Sequence, residues 1–439
     1  MLAVAAAVGS LFIVSSHGNR GAATQPTPAP TRASVLAALP ANAAEPTQDD
    51  VRRALAASLS SPAFGGHVIG EVVDAATGAV LFDRSADLAL PPASTAKLLT
   101  SMAALSVLGP TATLTTDVTR AGNTLYLVGH GDLTLRAHAR PSYPATADIG
   151  TLARRTAAAL AAATPPPGQL KLCVDTTAWS GPARAPGWSV SYFNDGDIAP
   201  LSPLEVDEGV VRPGQNARVP DPAAQAAGIF AADLASAGVK VAPQPCRAAS
   251  PVAAQHVASV SSPPVSALVQ RMLTVSDNDL AEALGRAVAA KAGTSHDFAG
   301  EAAAVTKALA RNGIPTSGVH LVDASGLSRL DRVPPQVLVD VLRAAMSPAE
   351  PQLSALLAGL PVAGFTGTLA DRFRRAPASA GAGIARAKTG TLVGVNTLAG
   401  YVSDASGRLL VFAFMTDRAV SPDTAEPALD RLAAGLAGV

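Results

Sequence analysis

Three short motifs stand far apart in this 439-residue chain, and any fold it adopts has to answer for them. Ser94-Thr95-Ala96-Lys97 is an S-x-x-K, Ser276-Asp277-Asn278 an S-D-N, and Lys388-Thr389-Gly390 a K-T-G. The first and last each occur once. From Lys97 to Ser276 the chain runs 179 positions (276 less 97). Alone, each motif is weak, and Ser-Asp-Asn ahead of a helix is usually just a cap. Together and in this order, they ask for one site assembled from three distant segments.

The chemistry of such a site follows from the residue types. Residues three apart on a helix are neighbours, so Lys97 Nζ reaches Ser94 Oγ. A serine hydroxyl is a poor nucleophile until a base takes its proton. Lysine acts as that base only when its pKa falls towards neutrality, and burial or a nearby cation such as Lys388 pushes it down. Ser276 suits a proton relay to the leaving group, and Asn278 offers an amide to a substrate amide. Along a strand through the K-T-G, Ile384, Arg386 and Lys388 share one face. Gly390 has no side chain, so a substrate backbone lies against the strand there. Lys388 and Thr389 then suit a carboxylate.

The rest of the chain reads as mixed α/β. Residues 67–84 pattern as a β-hairpin turning near Thr77-Gly78. Leu98, Leu99, Met102, Leu105 and Leu108 recur at helical spacing after Ser94. From 112 to 261 short strand-like pieces (124–128, 170–174) alternate with Pro/Gly-rich loops, which reads as a mostly β insert. It interrupts a module made of 49–111 and 262–439. That module has helical faces after 263, strands at 384–391, 395–403 and 408–416, and a last helix over 422–437.

Residues 1–16 are apolar and uncharged. At about 1.5 Å per residue they span about 24 Å, short of a hydrocarbon core of about 30 Å. Residues 1–20 read as a signal peptide or the remnant of a membrane anchor, with a plain globular helix as the alternative. Residues 21–48 are rich in Pro, Ala and Thr, as in a tether. Both features point to export. The net charge of zero argues against a nucleic-acid binder. Arginine outnumbers lysine 27 to 6, which makes each lysine worth inspecting. Cys173 and Cys246 are the only cysteines, either one disulfide or two buried thiols. No metal-type cluster, Walker A or G-x-G-x-x-G is present, so no metal or other cofactor is expected.

Further segments accompany the trio: Leu127-Val128-Gly129-His130-Gly131-Asp132, Val174-Asp175-Thr176-Thr177, Pro186-Gly187-Trp188, Asp323-Ala324-Ser325-Gly326-Leu327-Ser328-Arg329, and Thr391 after the K-T-G. With them, the chain resembles the D-alanyl-D-alanine carboxypeptidase/endopeptidase family, the class C low-molecular-mass penicillin-binding proteins. That family carries a large insert between its first two motifs. The resemblance covers roughly residues 50 to 439. It implies a β-lactamase/transpeptidase-like α/β domain, an antiparallel sheet flanked by helices, with the insert between its halves.

The resemblance also implies roles. Ser94 is the acylated nucleophile and Lys97 its base. Ser276 and Asn278 are relay and clamp. Lys388, Thr389, Gly390 and Thr391 form the carboxylate-binding strand. The backbone N–H groups of Ser94 and Thr391 make the oxyanion hole. Asp175 reads the free end of a diaminopimelate-type side chain, and Arg329 lies at that pocket's rim. The implied substrates are peptidoglycan stem peptides outside the cytoplasmic membrane, with β-lactams as inhibitors. The rival readings are a β-lactamase and a non-catalytic wall-binding protein that kept the pocket. His130 stands where the family often has glycine, and Leu392-Val393 replaces more polar residues. Tyr192-Phe193-Asn194 is a Y-x-N, a motif that replaces S-D-N in another serine β-lactamase class. It reads as a decoy, His130 with Asp132 as surface or structural groups, and Glu282 as a helix-start cap.

Overall fold

The apolar runs of this chain alternate with a period of two along its best strands, and that alternation divides one sheet's side chains between two cores. The computed structural model describes residues 45–439 apart from 143, 164–167, 213–214 and 243. The expected leader or anchor (1–20) and the tether as far as 44 lie outside the described residues. The tether's expected end at 48 falls inside the first helix instead. Thr47 caps α1 (Gln48–Leu59) by accepting from Asp50 N.

Beyond α1 come the hairpin β1 (Ile69–Asp74) and β2 (Val80–Arg84), then α2 (Lys97–Val107). The middle of the chain holds β3 (Thr115–Ala121), β4 (Thr124–Gly129), α3 (Ile149–Ala161), β5 (Lys171–Asp175), α4 (Ser191–Asp195), α5 (Pro222–Ser236), β6 (Cys246–Arg247) and β7 (Gln255–Ser261). Helices then run α6 (Val265–Val275), α7 (Asn278–Ala292), α8 (Phe298–Arg311), α9 (Pro335–Met346) and α10 (Ser354–Gly359). The chain ends with β8 (Arg386–Leu392), β9 (Val395–Ser403), β10 (Leu409–Thr416) and α11 (Pro422–Ala437).

The first sheet has the order β2-β1-β10-β9-β8, antiparallel throughout. Val411, Ala413 and Met415 of β10 face a core built with α2, α6, α7, α8 and α9. Leu410, Phe412 and Phe414 face the opposite way, into a core with α1 and α11. The sheet is therefore covered on both faces, with β8, the K-T-G strand, at its edge.

The second sheet has the order β6-β5-β4-β3-β7 and its own core. It departs from the mostly β expectation. α3 and α5 pack against it through Ile149, Leu152, Leu160, Phe230 and Leu234, and β4-β5-β6 run parallel. The helices escape notice because their buried faces are largely alanine (Ala153, Ala223, Ala226, Ala227), which lowers the hydrophobic contrast of the period. Cys173 on β5 and Cys246 on β6 pair directly and are joined by a disulfide.

Candidate active site

Ser94 lies in a single 3-10 turn, Ala93–Ala96, which runs straight into α2 with Lys97 as that helix's first residue. The turn is pinned from below: Thr95 Oγ1 donates to Pro92 O at 2.6 Å, and Thr397 Oγ1 donates to the same oxygen at 2.8 Å. Ala93 carries φ +47°, a left-handed conformation costly for an L-residue with a Cβ. Its neighbours explain how it is held. A Cβ on Gly326 would sit 1.9 Å from Ala93 O, and one on Gly390 would sit 2.8 Å from Pro92 O. Backbone from the 323–329 loop and from β8 therefore presses on the segment bearing the nucleophile.

Lys97 is fully buried. Its Nζ donates to Ser94 Oγ at 2.9 Å, to Asn278 Oδ1 at 2.6 Å and to Ser325 O at 2.8 Å. Burial pushes its pKa down to about 8, and Asp323, Glu282, Asp277 and Asp279 pull it partway back. The lowering expected from the sequence is present, with burial rather than Lys388 as its first cause. The repulsion between the two lysines falls on Lys388. Burial, Lys97 and Arg372 together push Lys388 well below the usual lysine range.

The S-D-N forms the turn between α6 and α7. Ser276 caps the end of α6 at φ +60°, and Asp277 caps α7 by accepting from Leu280 N at 2.9 Å. Lys388 Nζ donates to Ser276 Oγ at 2.9 Å and to Thr389 O at 2.8 Å. Thr389 Oγ1 lies 2.8 Å from Thr368 Oγ1, and Thr391 Oγ1 donates to Glu426 Oε1 at 2.9 Å. Three segments distant in sequence thus meet through two lysines, each bonded to one serine.

Glu282 is not a helix cap. It is buried in α7 and accepts from Ser325 N at 2.8 Å and Ala324 N at 3.3 Å. Asp323 accepts from Gly326 N and Ser328 N at 2.7 Å each, and from Trp188 Nε1 at 2.6 Å. These two carboxylates fold the 323–329 loop so that the Ser325 carbonyl faces Lys97. They also account for Pro186-Gly187-Trp188, whose Pro186 O accepts from Ser328 Oγ at 2.8 Å.

A cleft of about 720 Å³ opens over Ser94, Ser276, Asn278, Thr389 and Thr391. Tyr192 and Asp197 of the middle segment, Arg372, Leu392 and Val393 also line it. Among the described residues no group of three or more His, Cys, Asp or Glu side chains is arranged to hold a metal ion.

Residues 51–217 and 212–436 match one known family. The chain belongs to the D-Ala-D-Ala carboxypeptidase 3 (S13) family. It is 37% identical over 447 aligned positions to a carboxypeptidase DacB of Mycolicibacterium smegmatis, covering 99% of this chain and 94% of that one. To a D-alanyl-D-alanine carboxypeptidase of an Actinomadura species it is 30% identical, over 82% of this chain and 80% of that one. Penicillin binding protein 4 (dacB) of Haemophilus influenzae shares the fold. The TM-score is 0.71 at 22% identity, covering 89% of this chain and 98% of that one.

Five positions expected at the site of this S13 peptidase are outside the cleft lining: Lys97 and Lys388, which bond the lining's Ser94 and Ser276, and Gly390, Asp175 and Arg329. The Asp175 carboxylate closes a local turn, accepting from Thr177 N at 2.8 Å, Thr177 Oγ1 at 2.6 Å and Ser250 N at 2.7 Å. Arg329 is exposed and donates to Val393 O at 2.5 Å, which places it beside the cleft's Leu392-Val393 lip. His130 pairs with Asp117 at 3.1 Å, outside the cleft lining. Tyr192, whose Y-x-N reads as a decoy in the sequence, lines the cleft. Arg372, Thr368 and Glu426 line it as well, and none of them sits in a recognisable motif.

Proposed function

We propose that this S13 carboxypeptidase removes the terminal D-Ala from peptidoglycan stem peptides through an acyl-enzyme on Ser94. The observation that carries this reading is the Lys97–Ser94 hydrogen bond at 2.9 Å, with the base fully buried. Neutral Lys97 takes the Ser94 proton as Oγ attacks the carbonyl carbon of the D-Ala-D-Ala bond. The N–H groups of Ser94 and Thr391 hold the tetrahedral oxygen. Ser276, bonded to Lys388, relays to the departing amine the proton that Lys97 took, so that Lys97 is neutral again as D-Ala leaves. Lys388, Thr389 and Thr391 hold the terminal carboxylate, whose charge restores that of Lys388. Water then cleaves the Ser94 ester.

Cutting a cross-link is the same acyl transfer with a larger leaving amine, and the open cleft is compatible with that second substrate. A β-lactam enters as a mimic of the peptide and stays as the acyl adduct. Action on peptidoglycan implies a location outside the cytoplasm, with residues 1–20 as signal peptide or membrane tether. We take 112–261 as an inserted module and 49–111 with 262–439 as the catalytic one; the separate sheet and core of the former support this division.

The test is D-Ala release from a stem pentapeptide, followed by mass spectrometry. Wild type releases D-Ala, and Ser94→Ala loses on the order of a thousandfold or more. Undiminished release by the variant overturns the reading.

A further inference from the structure

Asn278 is held from two sides. Its Oδ1 accepts from Lys97 Nζ at 2.6 Å, and its Nδ2 donates to the Asp197 carbonyl at 2.9 Å. The two bonds together fix which way the amide points, because an ammonium tolerates only the amide oxygen beside it and a carbonyl only the amide N–H. The orientation of this active-site amide therefore depends on the position of one backbone carbonyl in the middle segment.

That carbonyl lies just past α4 in irregular chain, and α4 is a helix of only five residues. Side chains brace the loop instead. Arg218 Nε and Nη2 donate to Gly196 O at 3.2 and 3.0 Å, and Nη1 donates to Glu208 O. Arg218 Nη2 also lies 3.6 Å from Asp279 Oδ2, while Asp279 Oδ1 accepts from Ala199 N at 2.9 Å. Residues 196 and 199 are thus tied on either side of Asp197, and Asp279 is the next residue after Asn278. On the other flank Arg271 pairs with Glu208 and, at 3.1 Å, with Asp277. The Arg218 side chain is 11% exposed and that of Asp279 2%, so these bonds are shielded from water.

We propose that Arg218 is a positioning residue for acylation: by holding the Gly196–Asp197 backbone, it sets the Asn278 amide against Lys97. The proposal rests on Ser94 and Lys97 being nucleophile and base. Arginine is required by geometry. Its planar fork places two donors on one carbonyl and a third on another, and a single ammonium does not span both.

The experiment is the rate of benzylpenicillin acylation, read by intact mass, for wild type, Arg218→Lys, Asn278→Ala and the double variant. Circular dichroism and a thermal melt establish the folded fraction, and rates are expressed per folded molecule. Arg218→Lys slows acylation about tenfold. In the Asn278→Ala background the same substitution changes the rate less than about twofold, because residues acting through one another are not additive. A wild-type rate in folded Arg218→Lys overturns the proposal, and so does a full tenfold loss on top of Asn278→Ala. Where the lysine variant does not fold, Arg218→Gln takes its place in the same cycle, with the same two outcomes. Wild type that gains no drug mass at Ser94 refutes the underlying reading instead, so the two failures are distinguishable.

Discussion

Of the three acceptors around Lys97 Nζ, only the Ser94 hydroxyl can turn round and donate. Asn278 Oδ1 and Ser325 O accept and do nothing else. An ammonium uses all three of its hydrogens here. When it loses one, the two that remain stay on Asn278 and Ser325, and the lone pair is left facing Ser94 Oγ. The arrangement aims the base at the nucleophile's proton.

The pH dependence follows. Lys97 has its pKa lowered from 10.5 to about 8 by burial, so it is an ammonium below pH 8 and a base above it. Acylation by benzylpenicillin rises with pH through the neutral range and levels off above about pH 8. Lys97→Arg stays charged and loses about a hundredfold to ten-thousandfold. A rate independent of pH between 6 and 9 contradicts this role for Lys97.

Glu282 links the site to stability. Glu282→Ala leaves Ala324 N and Ser325 N without their carboxylate acceptor, at about 1–3 kcal/mol for each buried donor. The urea midpoint falls, and acylation slows because the Ser325 carbonyl drifts from Lys97. Burial and the neighbouring Asp323 raise the Glu282 pKa from 4.5 to about 7. A raised acid contributes stability that is fully present below its unfolded pKa and lost as pH rises through the folded one. Between about pH 4.5 and 7 wild type therefore loses stability relative to Glu282→Gln, measurable as a steeper fall in urea midpoint.

Gly390→Ala tests the press of β8 on the nucleophile. The added Cβ would lie 2.1 Å from Thr397 Oγ1 and 2.8 Å from Pro92 O. Overpacking of this kind costs about 1–3 kcal/mol. Thr397 gives up its bond to Pro92 O, so the melting temperature falls and acylation falls with it. A fully active, equally stable variant would show that the strand does not bear on Ser94.

The disulfide joins residues 73 apart in sequence. Chain-entropy arguments assign such a loop about 4 kcal/mol. Both cysteines lie in the second sheet, away from the cleft lining. Replacing both cysteines with serine lowers the urea midpoint, while the acylation rate of the folded protein stays within about twofold of wild type.

Much of the site was legible because its signals are local. Ser94 and Lys97 lie one helical turn apart, and Lys388 sits in a K-T-G that occurs once in the chain, although Ile384, expected on the same strand face, lies in a turn ahead of β8. The bracing of the site was not legible. Arg218 works through backbone carbonyls, which any sequence supplies, so nothing marks the arginine as special. Glu282 looked like a cap because its true partners, Ala324 and Ser325, come from a loop some forty positions later. Asp175 carried only a substrate-reading role implied by the family resemblance, and its bond to the backbone two residues on, usual for a short carboxylate in a turn, was not read from the sequence.

The most direct test of the acyl-serine chemistry is intact mass after incubation with benzylpenicillin. Wild type gains the mass of one drug molecule, and Ser94→Ala gains none. An adduct that persists in the Ser94→Ala variant, or one mapped to another residue in wild type, would contradict the account.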